Sequence, residues 1–229
     1  MALTKKELID LYRLRSRNYD ITANLYYLIG FREQAYRKKA VRTLDLKPGD
    51  TVVEIGCGTG LNFPLLQSAV GPEGKILGVD LTDSMLDQAR KRIEIEGWSN
   101  VELVHNDAAG YRFPPNLGGI ISTFALTLVP EFDVVIRNGC AELVPGGKWV
   151  VLDFSLPSSR TAKLFAPLLI YLTRPFGVRR DLAERHPWES IEKYLGNVSI
   201  TELYFGFSYI AAGEKRGTCN EFPSTYITE

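Results

Sequence analysis

Residues 52–62 read VVEIGCGTGLN, a short apolar run that passes directly into three glycines at alternate positions, Gly56, Gly58 and Gly60. A strand entering a glycine loop and then a helix brings backbone amides toward a ligand with no Cβ atoms in the way, which suits a nucleotide. The dinucleotide fingerprint needs G-x-G-x-x-G, and here the third glycine comes one residue early, leaving Leu61 in its place. A phosphate loop would need Gly-Lys-Ser/Thr, which is absent. Asp80 closes the next strand about 20 residues on, where a carboxylate can accept both hydroxyls of a ribose. Glu54, just before the first glycine, would repel a phosphate and welcome a cation. The loop therefore predicts an adenosine-like ligand carrying an amino group.

Outward from the loop, strands and helices alternate. The helix after the loop is expected from about Leu61 to Val70, followed by the strand KILGVD ending at Asp80. Thr82 is placed to cap a helix reaching about Glu96, VELVHND is the next strand, and GGIISTFAL is a fourth. A helix from about Phe132 to Leu143 precedes PGGKWVVLDF, a turn and a fifth strand, and such alternation means a parallel sheet covered on both faces. VSITELYFG and FSYIAAGEK then read as a β-hairpin closing one edge. Before the loop, Thr4-Lys-Lys-Glu7 is a capping box that opens a short helix presenting Leu8, Leu11 and Tyr12, and a second helix is expected from about Arg32 to Leu44. The predicted organisation is a helical cap over 1–45, an α/β domain over 46–217 with a lid insertion at about 156–190, and a tail at 218–229.

With 229 residues, of which 45% are hydrophobic, the chain can bury one substantial core. Lys plus Arg equal Asp plus Glu at 27 each, so no global field marks a nucleic-acid binder. Locally, Met1 to Arg42 is basic: Lys5, Lys6, Arg13, Arg15, Arg17, Arg32, Arg37, Lys38, Lys39 and Arg42 face only Glu7, Asp10, Asp20 and Glu33. Cys57, Cys140 and Cys219 have neither disulfide nor metal-ligand spacing, so no metal is expected and a reducing, cytoplasmic setting is. No run reaches the roughly 20 apolar residues of a spanning helix.

VVEIGCGTG, GVDLTDSML, HNDA and LVPGGKWVVLDF, in this order and spacing, resemble the successive motifs of class I S-adenosylmethionine-dependent methyltransferases, and the likeness covers about Asp50 to Phe154. It implies a Rossmann-like, doubly wound sheet of seven strands with the last antiparallel, and S-adenosylmethionine as cofactor. It also implies that Glu54, Gly56 and Gly58 line the methionine part, that Asp80 binds the ribose, that Leu81 flanks the adenine, and that Cys57 and Met85 belong to the cofactor-binding set. Asp107 and Ala108 would meet the adenine amino edge, with Thr123 in the same set. Cys57 itself reads as a small filler, with nothing nearby to make it a nucleophile.

Methyl transfer from a sulfonium is a direct displacement, so alignment can supply about 7 to 11 kcal/mol and a base is needed only if the acceptor must lose a proton. His105 reads as structural; His186, in RRDLAERHPWESI, is in the right region to serve as a base. YDITANLYYLIGF, STFALTLVPEF and VLDFSLP are similar to stretches of bacterial phospholipid and betaine-lipid N-methyltransferases, and VLDFSLP also to ubiquinone and menaquinone C-methyltransferases. That likeness implies that Tyr19, with Asp20, closes over the cofactor. Tyr26, Tyr27 and Arg179 are the candidate acceptor contacts, from an aromatic, basic N-terminal segment and an apolar insertion of the kind used at anionic bilayers. The leading expectation is N-methylation of an amino headgroup on a small or lipid-like acceptor by a cytoplasmic enzyme with peripheral membrane contact. The alternatives are C-methylation of a quinol-type acceptor and a non-catalytic S-adenosylmethionine-binding regulator.

Overall fold

The alternating elements downstream of Thr51 assemble into one sheet in a computed structural model that describes residues 4–20, 27, 30–157 and 185–217. The strands are β1 (Thr51–Ile55), β2 (Lys75–Asp80), β3 (Val101–His105), β4 (Leu117–Thr123), β5 (Leu143–Phe154), β6 (Gly196–Leu203) and β7 (Ser208–Glu214), in the order β3-β2-β1-β4-β5-β7-β6. The first five run parallel, while β7 lies antiparallel to both β5 and β6. The edge hairpin is thus where the sequence places it.

Position in the sheet explains the strand sequences. β1, β4 and β5 are interior and covered on both faces, so they carry almost unbroken apolar runs; the edge strands β3 and β6 are half exposed and alternate. Successive residues still divide between two cores. Val53, Ile55, Ile120, Trp149 and Val151 face α5 (Phe132–Glu142) and α6 (Pro187–Tyr194). Val52, Ile76, Ile121, Val150 and Leu152 face α2 (Glu33–Leu44), α3 (Phe63–Val70) and α4 (Asp83–Glu96). Burying each such side chain stabilises the fold by roughly 1.5–3 kcal/mol.

Three local expectations shift. The helix after the loop begins at Phe63, because Asn62 at its N-cap uses its side-chain amide elsewhere. Thr82 occupies the N-cap of α4 without a side-chain cap; its backbone N–H donates instead to Asp80 Oδ1 at 2.8 Å. The described end of the expected insertion is α6, a covering helix whose Ser190 and Tyr194 hydroxyls donate to Asp133 of α5. At the N-terminus the capping box forms as read: Glu7 N–H donates to Thr4 Oγ1 and Thr4 N–H to Glu7 Oε2. It opens α1 (Lys5–Arg15), none of whose residues is fully buried. Among the described residues, no helix is long and apolar enough to cross a membrane.

Candidate active site

The strand order reverses between β1 and β4, and in an open parallel sheet the crevice forms there, beyond the C-terminal strand ends. The chain delivers to that crevice the loop Gly56–Gly60 after β1, Asp80 from β2, Asn106 to Ala108 after β3, and Thr123 to Ala125 after β4. They surround one cleft. Leu8, Tyr12 and Tyr19 close it from the N-terminal side, and Leu128 and Val129 line its apolar flank.

The loop is shaped for close approach. Gly56 has φ +70°, and a Cβ there would stand 2.3 Å from the Cβ of Ala125, so only glycine lets β1 and β4 meet at the cleft floor. Phe124, beside it, is held at φ 56° and lines the cleft, a left-handed conformation of the sort that clusters at functional sites. Asp80 is part-buried at the centre. Its Oδ2 accepts from Gly58 N–H and its Oδ1 from Thr82 N–H, both at 2.8 Å. Burial raises its pKa and these amides oppose the rise. Asp107 accepts from Ala109 N–H and from Lys5 Nζ, the latter at 2.7 Å.

Behind Thr123 runs a buried polar chain. Arg37 donates to Thr123 Oγ1 at 2.5 Å and to Asn62 Oδ1 at 3.3 Å, and pairs with Glu33 at 2.8 Å. Asn62 Nδ2 donates to Glu54 Oε1 at 2.6 Å and to Thr123 Oγ1 at 2.9 Å. Glu54 Oε2 is buried and makes no hydrogen bond in the protein. Burial pushes the Glu54 carboxyl up to about 8, against the pull of Arg37 and Asn62. Burial likewise raises Tyr19 to about 12 and Tyr12 well above a free phenol, so both stay neutral hydroxyls at physiological pH.

The Glu54 shift has a sign that can be measured. In the unfolded chain the carboxyl ionises near 4.5, while in the folded chain it holds its proton to about 8. Between these values the unfolded state binds fewer protons, so stability falls as pH rises through that window. Asp153, pushed by burial to about 6 from 3.8, adds a slope of the same sign that ends earlier. Urea unfolding at a series of pH values is expected to show a falling midpoint from pH 5 toward pH 8 ~ the span of the Glu54 shift. Glu54→Gln should flatten its upper half; an unchanged slope in that variant would remove Glu54 as the cause.

The structure brings Tyr19, Gly56, Cys57, Gly58, Asp80, Leu81, Met85, Asp107, Ala108 and Thr123 to one cleft. Glu54 stands one step behind the lining, joined to it through Asn62 and Thr123. His186 does not line the cleft: its ring stacks on Trp188 at 4.4 Å and its Nδ1 lies 3.0 Å from Glu189, on the α6 side of the sheet. Tyr27 is 66% exposed and also away from the lining, while Tyr26 and Arg179 lie outside the described residues. His105 contacts the Leu81 carbonyl through Nε2 at 2.9 Å. Sequence reasoning missed Arg37, Tyr12 and Asn62. For Arg37 a signal existed: it falls in phase with Ala40, Val41 and Leu44 on the buried face of α2, where an unneeded cation would be costly.

The sequence profile of the ubiE/COQ5 methyltransferase family matches residues 2–176 of this chain. The chain belongs to that family. It is similar to the demethylmenaquinone methyltransferase of Bacillus cereus (strain AH187), with 32% identity over 161 residues, covering 69% of this chain and 67% of the relative. Among solved structures it resembles a SAM-dependent methyltransferase from Aquifex aeolicus, with TM-score 0.58, 18% identity, and 78% of this chain and 89% of that one covered. A Haemonchus contortus phosphoethanolamine N-methyltransferase 2, solved with S-adenosylhomocysteine, gives TM-score 0.59 and 16% identity over 77% of this chain and 51% of that one. These two likenesses show the fold alone. The methyltransferase is therefore an enzyme whose cofactor is S-adenosylmethionine, which sets aside the non-catalytic regulator. The cleft fits that cofactor: the loop approaches without side chains, Asp80 faces it from β2, and a buried carboxylate oxygen waits without a donor.

Proposed function

We propose that the methyltransferase transfers a methyl group to the ring carbon of a quinol-type acceptor with an apolar tail. The observation that carries this reading is the family match together with the identity to demethylmenaquinone methyltransferase. The amino-headgroup expectation becomes the second reading, since the relatives favour the alternative. When bound, the cofactor supplies an electrophilic methyl on a sulfonium; the chain's own residues hold and orient.

In this reading Asp80 takes the ribose hydroxyls, Asp107 and Ala108 meet the adenine edge, and Gly56, Cys57 and Gly58 pass under the methionine part. Leu81, Met85 and Thr123 complete the set. Glu54 Oε2 is the acceptor for an ammonium, and Arg37, the cation of the same buried chain, is the partner for a carboxylate. An ammonium placed on Glu54 would hold it ionised, so binding near neutral pH should release a proton. Tyr12, Tyr19, Leu8, Leu128 and Val129 keep water from the acceptor end. The neutral phenol of Tyr19 is a hydrogen-bond donor suited to the oxygen of a quinol. It is no base, and with His186 elsewhere the rate follows the acceptor's own ionisation. Residues 1–45 serve as the cap and 46–217 as the catalytic domain of a cytoplasmic enzyme that meets the bilayer peripherally.

The same aromatic hydroxyls favour amine methylation as the second reading, because neutral Tyr12 and Tyr19 can shelter an ammonium, worth roughly 0.5–2 kcal/mol. Incubation of the enzyme with labelled S-adenosylmethionine and, separately, demethylmenaquinol and phosphatidylethanolamine separates them. Label is expected on the quinol ring, with a rate that climbs as pH rises; label only on the amine would replace the first reading with the second.

A further inference from the structure

The basic excess of the N-terminal segment divides into two populations. Lys5 reaches Asp107 and Glu131, Arg13 pairs with Asp83, and Arg37 is inside the cleft on Glu33. Arg32, Lys38, Lys39 and Arg42, like Lys6 and Arg17 nearer the N-terminus, are exposed and make no ion pair among the described residues, and the first four cluster at α2. At about 100° per residue, Lys38, Lys39 and Arg42 fall within an arc of about 100° on the outer side of α2, with Arg32 at its N-cap. That arc is opposite the buried Ala40, Val41 and Leu44, and Glu33, the one acid of α2, is turned inward to Arg37.

An apolar edge adjoins the N-terminal end of this stripe. The turn between β6 and β7 places Tyr204 with its ring 5.3 Å from Phe31, the residue before Arg32. Tyr204, Phe205 and Gly206 take φ of 45°, 59° and 86°, three successive left-handed residues, and the outcome is a Phe205 that is 81% exposed. Among the described residues, nothing in the packing accounts for a left-handed turn that turns a phenylalanine outward. Leu156, 43% exposed, is held beside it, since Ser155 Oγ donates to the Gly206 carbonyl at 2.8 Å. Tyr27, also exposed, accepts through its carbonyl from Gly30 N–H on the approach to Phe31. Glu202, on the strand leading into the turn, is the acid of this edge.

We propose that the outer face of α2, together with Phe205, Leu156 and Tyr27, docks the enzyme on an anionic phospholipid bilayer. Cations meet the negative headgroups while the apolar tips enter the interface, a pairing that each part alone would not give. A second copy of this chain is a poor occupant, because a two-fold interface through this face would set α2 cations against α2 cations. The proposal rests on the lipid-like acceptor of the preceding reading and moves the contact from α1, whose Lys5 and Arg13 are engaged internally, to α2.

The test is sedimentation of the full chain with phosphatidylcholine vesicles, with and without phosphatidylglycerol, in the absence of acceptor. Pelleting is expected only with phosphatidylglycerol, and weaker at high salt. The triple variant Lys38→Gln/Lys39→Gln/Arg42→Gln should lower the partition constant by on the order of 100-fold. Phe205→Asn, a residue that tolerates the left-handed turn, should lower it about tenfold. Lys91→Gln on α4 should change nothing, and the triple variant should still methylate a water-soluble short-chain quinol at the parent rate. Equal pelleting of parent and triple variant, equal pelleting on neutral vesicles, or none at all would overturn the proposal. Vesicle binding without quinol methylation would instead sink the acceptor reading and leave this one standing.

Discussion

Replacing Asp80 with alanine is expected to weaken S-adenosylmethionine binding by about 100-fold, read by titration calorimetry. The carboxylate is part-buried at the end of β2, with its two oxygens already oriented by Gly58 N–H and Thr82 N–H. Each charge-assisted hydrogen bond to a ribose hydroxyl contributes on the order of 1.5–3 kcal/mol, so losing both acceptors costs about two orders of magnitude. Asp80→Asn keeps one acceptor oxygen and should lose only about tenfold. Both variants should retain the far-ultraviolet spectrum of the parent, since the carboxylate ties loops rather than core strands. Affinity in Asp80→Ala equal to the parent would mean the ribose is held elsewhere.

Arg37→Met should lower the melting temperature by roughly 10 °C and weaken cofactor binding as well. Removing one partner of a buried ion pair leaves the other uncompensated, typically at about 3–5 kcal/mol, and a domain of this size loses about 2–4 °C per kcal/mol. Here the abandoned partner is Glu33, whose side chain is 13% exposed, and Asn62 and Thr123 also lose a donor. Glu54 would also lose the cation that pulls its pKa down, so its proton would be held to still higher pH. The double variant Arg37→Met/Glu33→Met should regain much of the melting temperature but not the cofactor affinity, because the buried charge is gone while the carboxylate partner stays missing. A single variant melting within about 2 °C of the parent would show that the pair is not desolvated.

The pH slope set by Glu54 connects these results. A carboxyl that is unpaired on one oxygen and buried destabilises the ligand-free enzyme above neutrality, which fits an oxygen reserved for a cationic ligand. A residue that weakens the empty fold and, in the proposed reading, recognises the cofactor shows the usual relation between stability and function at a binding site.

Much of this enzyme was readable without its fold. Parallel strands covered on both faces must be continuous apolar runs, and β1, β4 and β5 announce themselves that way. The glycine loop, Glu54 and Asp80 are legible because chemistry and backbone geometry constrain residue type at fixed spacing: a backbone in close approach demands glycine, and a ribose demands a carboxylate one strand later. Helix starts were less legible. Asn62 and Thr82 have cap-forming side chains, but Asn62 spends its amide on Glu54 and Thr123, and Thr82 turns its backbone to Asp80. Local propensity cannot foresee such competition, because the partners lie on other strands.

The sequence by itself determined the doubly wound sheet and the edge hairpin, which rest on local periodicity, and the cofactor, through four ordered motifs that resemble those of class I methyltransferases. Only the tertiary structure decided which of the many basic residues serve the cleft and which face outward. Arg37 and Lys38 are neighbours in the chain, yet the rotation of about 100° between successive helical residues sends the first into a buried chain with Glu33 and Thr123 and the second into solvent. It also separated His186 from the cleft, because α6 packs its end against the far side of the sheet. Charge and residue type are properties of the chain, but burial, and with it the worth of a charge, exists only once the layers have closed.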